Sequence, residues 1–150
     1  MIIDNTATLA VHCRDESAAA VSAILGIEPT RMWEQGDLFR NIRTGLPNAE
    51  GRRRQAGAWL YRVEFAGGPD REDQTGCGAL TELLRVFADR VEDIRSLQDR
   101  YDVIVRWSGD SDSWQGGFVF PARVLTGLAA LGCALHGDAY LTGTEEDDED

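Results

Sequence analysis

The sequence predicts an α+β domain built on an antiparallel or mixed sheet with helices on one face. Two stretches alternate with a period of two: Thr6 to Cys13, and Ala58 to Phe65, where Trp59, Tyr61, Val63 and Phe65 share one side. A third stretch repeats at helical spacing from Leu80 through Leu83, Leu84, Phe87, Val91 and Ile94 to Leu97. Strands mixed with helices in this way fit a sheet covered on one side, and a ferredoxin-like layout, single or doubled, is the expected arrangement.

Thr6 to Cys13 is the expected first strand. Asp15-Glu16-Ser17 then supplies capping oxygens to a helix whose Val21, Ile24 and Leu25 fall on one face and which Gly26 ends. Pro29 forces the chain out of helical geometry, and Met32-Trp33-Glu34 fits a short strand. From Gly36 to Gly57 no periodicity holds, so this long connection is read as a functional loop or a loose insertion. Ala58 to Phe65 is the clearest strand, with Trp59 expected on the core. The apolar stripe from Leu80 to Leu97 predicts one unbroken helix of nearly five turns. Asp102 to Ser108 and Gln115 to Phe120 read as an antiparallel hairpin around the turn formers Gly109 to Ser113. Pro121 opens a final helix that Gly132 closes, and Ala134 to Leu141 is the last strand.

The 150 residues suffice for one core, expected over 1–142, with 143–150 as a disordered acidic tail. No apolar run is long enough to span a membrane, and the start of the chain lacks the basic and apolar segments of a signal peptide. A cytoplasmic location is expected. The widely spaced Cys13, Cys77 and Cys133 do not form a disulfide pattern and read as reduced, buried thiols. Every basic residue is arginine, a bias that accompanies GC-rich bacterial genomes.

The formal net charge is −11, and Glu145 to Asp150 are all acidic. Such a chain repels phosphate backbones, so nucleic acid is not an expected partner, and without a long apolar run neither is a membrane. The charge is uneven, however. Arg31, Arg40, Arg43, Arg52, Arg53, Arg54 and Arg62 face only Glu34, Asp37 and Glu50 over the same segment.

Several landmarks occur together: Leu25-Gly26-Ile27-Glu28-Pro29-Thr30, Trp33, Gly36-Asp37, then Gly57-Ala58-Trp59 leading a strand. The chain ends with a Pro121-led helix, Leu131 to Leu135 and a last strand. In these features it resembles the bacterial domain-of-unknown-function 4279 family from Thr6 to Leu141. Ala58 between Gly57 and Trp59 departs from the pattern, as does the Arg-rich insertion before them. The resemblance implies a small cytoplasmic α+β protein and carries no activity, cofactor or catalytic residue.

No motif identifies catalysis. His12 with Cys13, and Cys133 with His136, are the residue types that bind zinc, but neighbouring strand residues point to opposite faces. No metal or cofactor is expected. No Ser, Cys or Asp sits in a recognised nucleophile context. Asp110 and Asp112 resemble the start of a calcium loop, yet Trp114 stands where a third oxygen ligand belongs. Gly76-Cys77-Gly78 at a helix entry could present amides to an anion, although helix entry alone explains it.

Two functional expectations follow, from different classes. The first is a noncatalytic protein-binding module, immunity- or antitoxin-like, whose acidic surface meets a basic bacterial protein, with Asp110, Asp112 and Trp114 as the contact residues. The second is a small-anion-binding protein or enzyme centred on loop 40–62. There Arg52, Arg53, Arg54 and Arg62 would hold phosphate or carboxylate through their guanidinium forks.

Overall fold

A computed structural model of the chain describes residues 2–41, 43–66, 75–112 and 117–141. Five strands form one mixed sheet: β1 (Ile2–Cys13), β2 (Arg31–Trp33), β3 (Gly57–Ala66), β4 (Asp102–Ser111) and β5 (Ala134–Leu141). Their order is β2-β3-β1-β4-β5. β1 lies antiparallel to both β3 and β4, β2 is antiparallel to β3, and β5 runs parallel to β4. The helices are α1 (Ala19–Leu25), α2 (Gly78–Val86), α3 (Val91–Leu97) and α4 (Ala122–Leu131).

Period-two alternation decides which face is buried. Ala7, Leu9, Val11 and Cys13 of β1 join Trp59 of β3 and Val103, Val105 and Trp107 of β4 in the core, against Val21 and Leu25, Leu80 and Leu83, Ile94 and Leu97, and Val124, Leu128 and Leu131 of the four helices. Each large apolar side chain buried there contributes on the order of 1.5–3 kcal/mol. The intervening residues, Thr6, Thr8 and His12 among them, lie on the opposite face, which no helix covers among the described residues.

The first four strands are connected β-α-β-β-α-β and lie in the order β2-β3-β1-β4. In that order the parallel strands β1 and β2 have β3 between them, a split βαβ connection. The pair α4 and β5 extends the sheet beyond this pattern, so a plain ferredoxin-like arrangement is not confirmed, and the described residues contain no second copy of the unit.

Three expectations are corrected. The helix over 78–97 breaks at Phe87 (φ −100°, ψ 9°) and passes through a 3-10 turn at Ala88–Arg90 before α3. A straight helix of that length would extend about 30 Å and leave a twisted sheet. The break keeps α2 on β1 and β3 while α3 reaches β4, α1 and α4. The Arg90 Nε also donates to the Leu25 carbonyl at the end of α1 (2.8 Å).

The second correction concerns the hairpin. β4 runs to Ser111 and has β1 on one edge and β5 on the other, so no edge remains for residues 117–120. Those residues form no strand. Phe118 and Phe120 instead pack on Trp107, and the Val119 amide donates to the Thr75 carbonyl (2.9 Å). Residues 115 and 116 of the expected strand, and 113 and 114 before it, lie outside the described residues.

The third concerns the start of α1. Ser17 Oγ accepts from the Ala19 amide, but the carboxylate of Glu34 does most of the capping. It accepts from the Ala18 and Ala19 amides (3.0 Å each) and from Ser17 Oγ (2.7 Å). A carboxylate on these free amides also meets the positive end of the helix dipole.

Candidate functional site

The connection between β2 and β3 is ordered by its own backbone. Gly36 N donates to Arg54 O, Arg54 N to Asp37 O, Phe39 N to Arg52 O and Asn48 N to Phe39 O, at 2.7–2.9 Å. Isolated bridges join Leu38 to Arg53 and Arg40 to Pro47. Gly36 turns the chain back with φ 87°, a conformation that side chains rarely adopt. The Asp37 carboxylate accepts from the Glu34 amide (2.8 Å) and closes the same turn.

Strand β2 feeds this loop. Arg31 pairs with Leu60 and Trp33 with Ala58, which places both on the face away from the helices. Trp33 Nε1 donates to the Ala56 carbonyl (3.1 Å), fixing the indole. The Arg54 guanidinium lies 4.1 Å from the Trp33 ring centroid and 3.9 Å from that of Phe39, and Arg31 lies 5.2 Å from Trp33. The Arg54 Nε is buried without a hydrogen-bond partner among the described residues. Burial first, then the charge of Arg31, holds Arg54 below the ordinary arginine pKa, with Asp37 acting in the opposite sense.

Arg31, Arg40, Arg53 and Arg54 line one hollow of about 630 Å³, with Trp33 as an aromatic wall. Arg53 Nη1 donates to the Gly36 carbonyl (2.7 Å) and Arg40 Nη1 to the Gly45 carbonyl (3.1 Å). These contacts aim the guanidinium groups and leave most of their donors open. None of the four forms an ion pair among the described residues, whereas Arg62, Arg85, Arg95 and Arg100 each have a glutamate.

The arginines singled out from sequence therefore separate. Arg53 and Arg54 reach the hollow. Arg52 is exposed beside it, 5.9 Å from the Phe39 ring. Arg62 stands on the uncovered sheet face, paired with Glu64 at 3.0 Å. Arg31, Arg40, Trp33 and Phe39 were not among the residues expected to hold the anion. The available signal was the alternation of Arg31 and Trp33 around Met32, which puts a cation and an aromatic ring on one side of a strand.

Asp110 is exposed near the end of β4, Asp112 is exposed just beyond it, and Trp114 lies outside the described residues. His12 and Cys13 do point to opposite faces. Cys13 is buried in the core, and burial, followed by Glu34 and Glu16, pushes its thiol up to about 11. At the helix entry the Cys77 thiol donates to the Val119 carbonyl (3.0 Å), and Gly78 lies against the Phe65 ring. That close packing accounts for the glycine.

The sequence profile of the domain of unknown function DUF4279 matches residues 4–142, and the chain belongs to that family. No curated protein and no solved structure matches the chain. No helix among the described residues is long and apolar enough to cross a membrane.

Proposed function

We propose that the protein binds a small anionic ligand, a phosphate or carboxylate compound, in the hollow between β2 and loop 34–56, and holds it without chemical change. One observation carries this reading. In a chain of charge −11, four arginines line one hollow and none has an acidic partner among the described residues. Like charges brought together oppose folding, and an anion held by several guanidinium forks relieves that cost. Among the described residues the lining offers Asp37 as its acid, already engaged with the Glu34 amide, and no histidine, cysteine or serine. This composition suits binding more than proton transfer.

A thermal-shift titration with inorganic pyrophosphate and with citrate tests the reading. Ligand at about a hundred times its Kd adds roughly 2.7 kcal/mol of stability, a rise of several degrees. The shift should disappear in Arg53→Gln/Arg54→Met. No shift with either anion would remove the proposal.

The acidic-surface reading has support of its own in the net charge and in the exposed Asp110 and Asp112. It calls for a basic protein partner whose binding weakens sharply with salt and survives the same arginine substitutions.

A further inference from the structure

We propose that the protein forms a two-fold dimer through β5, whose outer edge pairs antiparallel with the same strand of a second copy. β5 ends the strand order, so among the described residues only β4 pairs with it. Its outer edge therefore presents N–H and C=O groups in a row, a template for another strand. Proteins guard such edges with short strands, bulges, proline or lysine. The other edge of the sheet follows that rule, since β2 has three residues. β5 has eight, pairs with β4 from Ala134 to Leu141 without a register shift, and contains no proline, lysine or arginine. Seven of the eight are exposed, and they include Tyr140 and Leu141, at 57% and 42%.

The strand is complementary to itself in one register. Alternate residues of an edge strand direct N–H and C=O outward, and in an antiparallel pair facing residues either bond to each other or both turn away. A two-fold axis must then pass through a residue and not between two. Centring it on Gly137 or on Asp138 pairs seven residues of β5, and every other centre pairs five at most. The Asp138 centre sets two carboxylates against each other, which is destabilising. The Gly137 centre sets His136 of each copy against Asp138 of the other, with Cβ atoms about 5 Å apart. Neutral or charged, an imidazole has an N–H to donate to that carboxylate. Ala134 then faces Tyr140 and Leu135 faces Ala139, a small side chain against a large one each time, and Gly137 meets itself on the axis. This is the isologous pattern of a closed dimer.

A net charge of −11 per chain opposes self-association, so the arrangement has to keep the acids apart. β5 itself has one formal charge, Asp138. Continued by one residue, the register sets Leu141 of one copy against Cys133 of the other, and the two Leu141 residues lie about 27 Å apart at 3.4 Å per residue. The acidic runs that follow in sequence, Glu145 to Asp150, thus start from opposite ends of the seam. That separation exceeds the roughly 8 Å over which charge acts at physiological salt. The loop hollow borders β2 at the far edge of the sheet, so the dimer leaves it open and does not rest on the anion reading.

The test is sedimentation velocity of the full chain from about 1 μM to about 1 mM, a range that spans weak and tight association. The wild type should sediment at twice the chain mass of 16.5 kDa. His136→Asp sets like charges together in both pairs and should weaken the dimer about tenfold. The swap His136→Asp/Asp138→His restores both pairs in reversed order and should recover wild-type association. Facing residues at the axis have Cα atoms about 4.5–5.5 Å apart, within disulfide reach, so Gly137→Cys should give a covalent dimer on oxidation while the wild type gives none. A Cβ at position 137 meets Trp107 at 3.5 Å, an ordinary contact, and His136 and Asp138 are exposed, so an unchanged far-UV circular dichroism spectrum is expected of every variant. The proposal is overturned by a wild type that stays monomeric throughout, by a dimer that His136→Asp leaves intact, or by a swap variant no tighter than the single one. A Gly137→Cys protein that dimerises without cross-linking would likewise refute the Gly137 centre.

Discussion

Replacing Arg54 by Met separates a structural arginine from a ligand-binding one. The guanidinium stacks between Trp33 and Phe39 at 4.1 and 3.9 Å, and two partly exposed cation–π contacts contribute about 1–2 kcal/mol together. Against this stand the buried Nε without a partner, costing about 1–3 kcal/mol, and repulsion from Arg31. The two sides nearly cancel in the unliganded protein. Met keeps the apolar packing and removes both, so Arg54→Met should stay within about 1 kcal/mol of the wild type, a change of a few degrees in Tm at most. Its effect should appear on binding instead. A hydrogen bond to a charged group contributes about 1.5–3 kcal/mol, so pyrophosphate affinity should fall roughly ten- to a hundredfold. Thermal unfolding followed by circular dichroism gives the first quantity and calorimetric titration the second. A stability loss well above 2 kcal/mol with unchanged affinity would refute the reasoning and make Arg54 a loop-packing residue.

The remaining predictions concern the frame that holds the hollow. Asn5 on β1 is buried, and its Oδ1 accepts from the Ala79 amide at the start of α2 (2.8 Å), so Asn5→Ala should cost about 1–2 kcal/mol in urea unfolding. A Cβ on Gly78 would sit 2.6 Å from the Phe65 ring, and Gly78→Ala should cost about 1–3 kcal/mol by the same measurement. Burial alone would raise the pKa of Glu34, but the donors from Ala18, Ser17 and Ala19 outweigh it and hold the carboxyl below its ordinary value of 4.5. A carboxyl lowered by folding stabilises fully above that value and loses the contribution as pH falls through it. The Tm gap between the wild type and Glu34→Gln should therefore be constant at neutral pH and narrow below pH 4.5.

Much of this frame is legible in the sequence, because a single period dominates each segment concerned. Alternation placed β1 and β3 and put Trp59 on the core, and the residues flanking α4 marked both its ends. The break at Phe87 left no trace, since the apolar spacing continues through it and only the twist of the sheet requires the bend. Residues 117–120 alternate like a strand, but pairing is a competition for edges, and β1 and β5 already occupy both edges of β4. Loop 34–56 lacks any period because it is held by backbone hydrogen bonds between irregular turns. The site was half legible for the same reason. Arg53 and Arg54 announced themselves as charge, whereas Arg31 and Arg40 reach the hollow through a short edge strand and a turn, and Arg62, close in sequence, points to another surface.

The central claim is that the arginines lining the loop hollow, which form no ion pair among the described residues, make an anion site. Calorimetric titration of pyrophosphate into the wild type, Arg53→Gln/Arg54→Met and Arg62→Gln tests it most directly. One saturable site, lost in the double variant and intact in Arg62→Gln, is the result the account predicts. Heats too small to measure in the wild type, or equal binding in all three proteins, would contradict it.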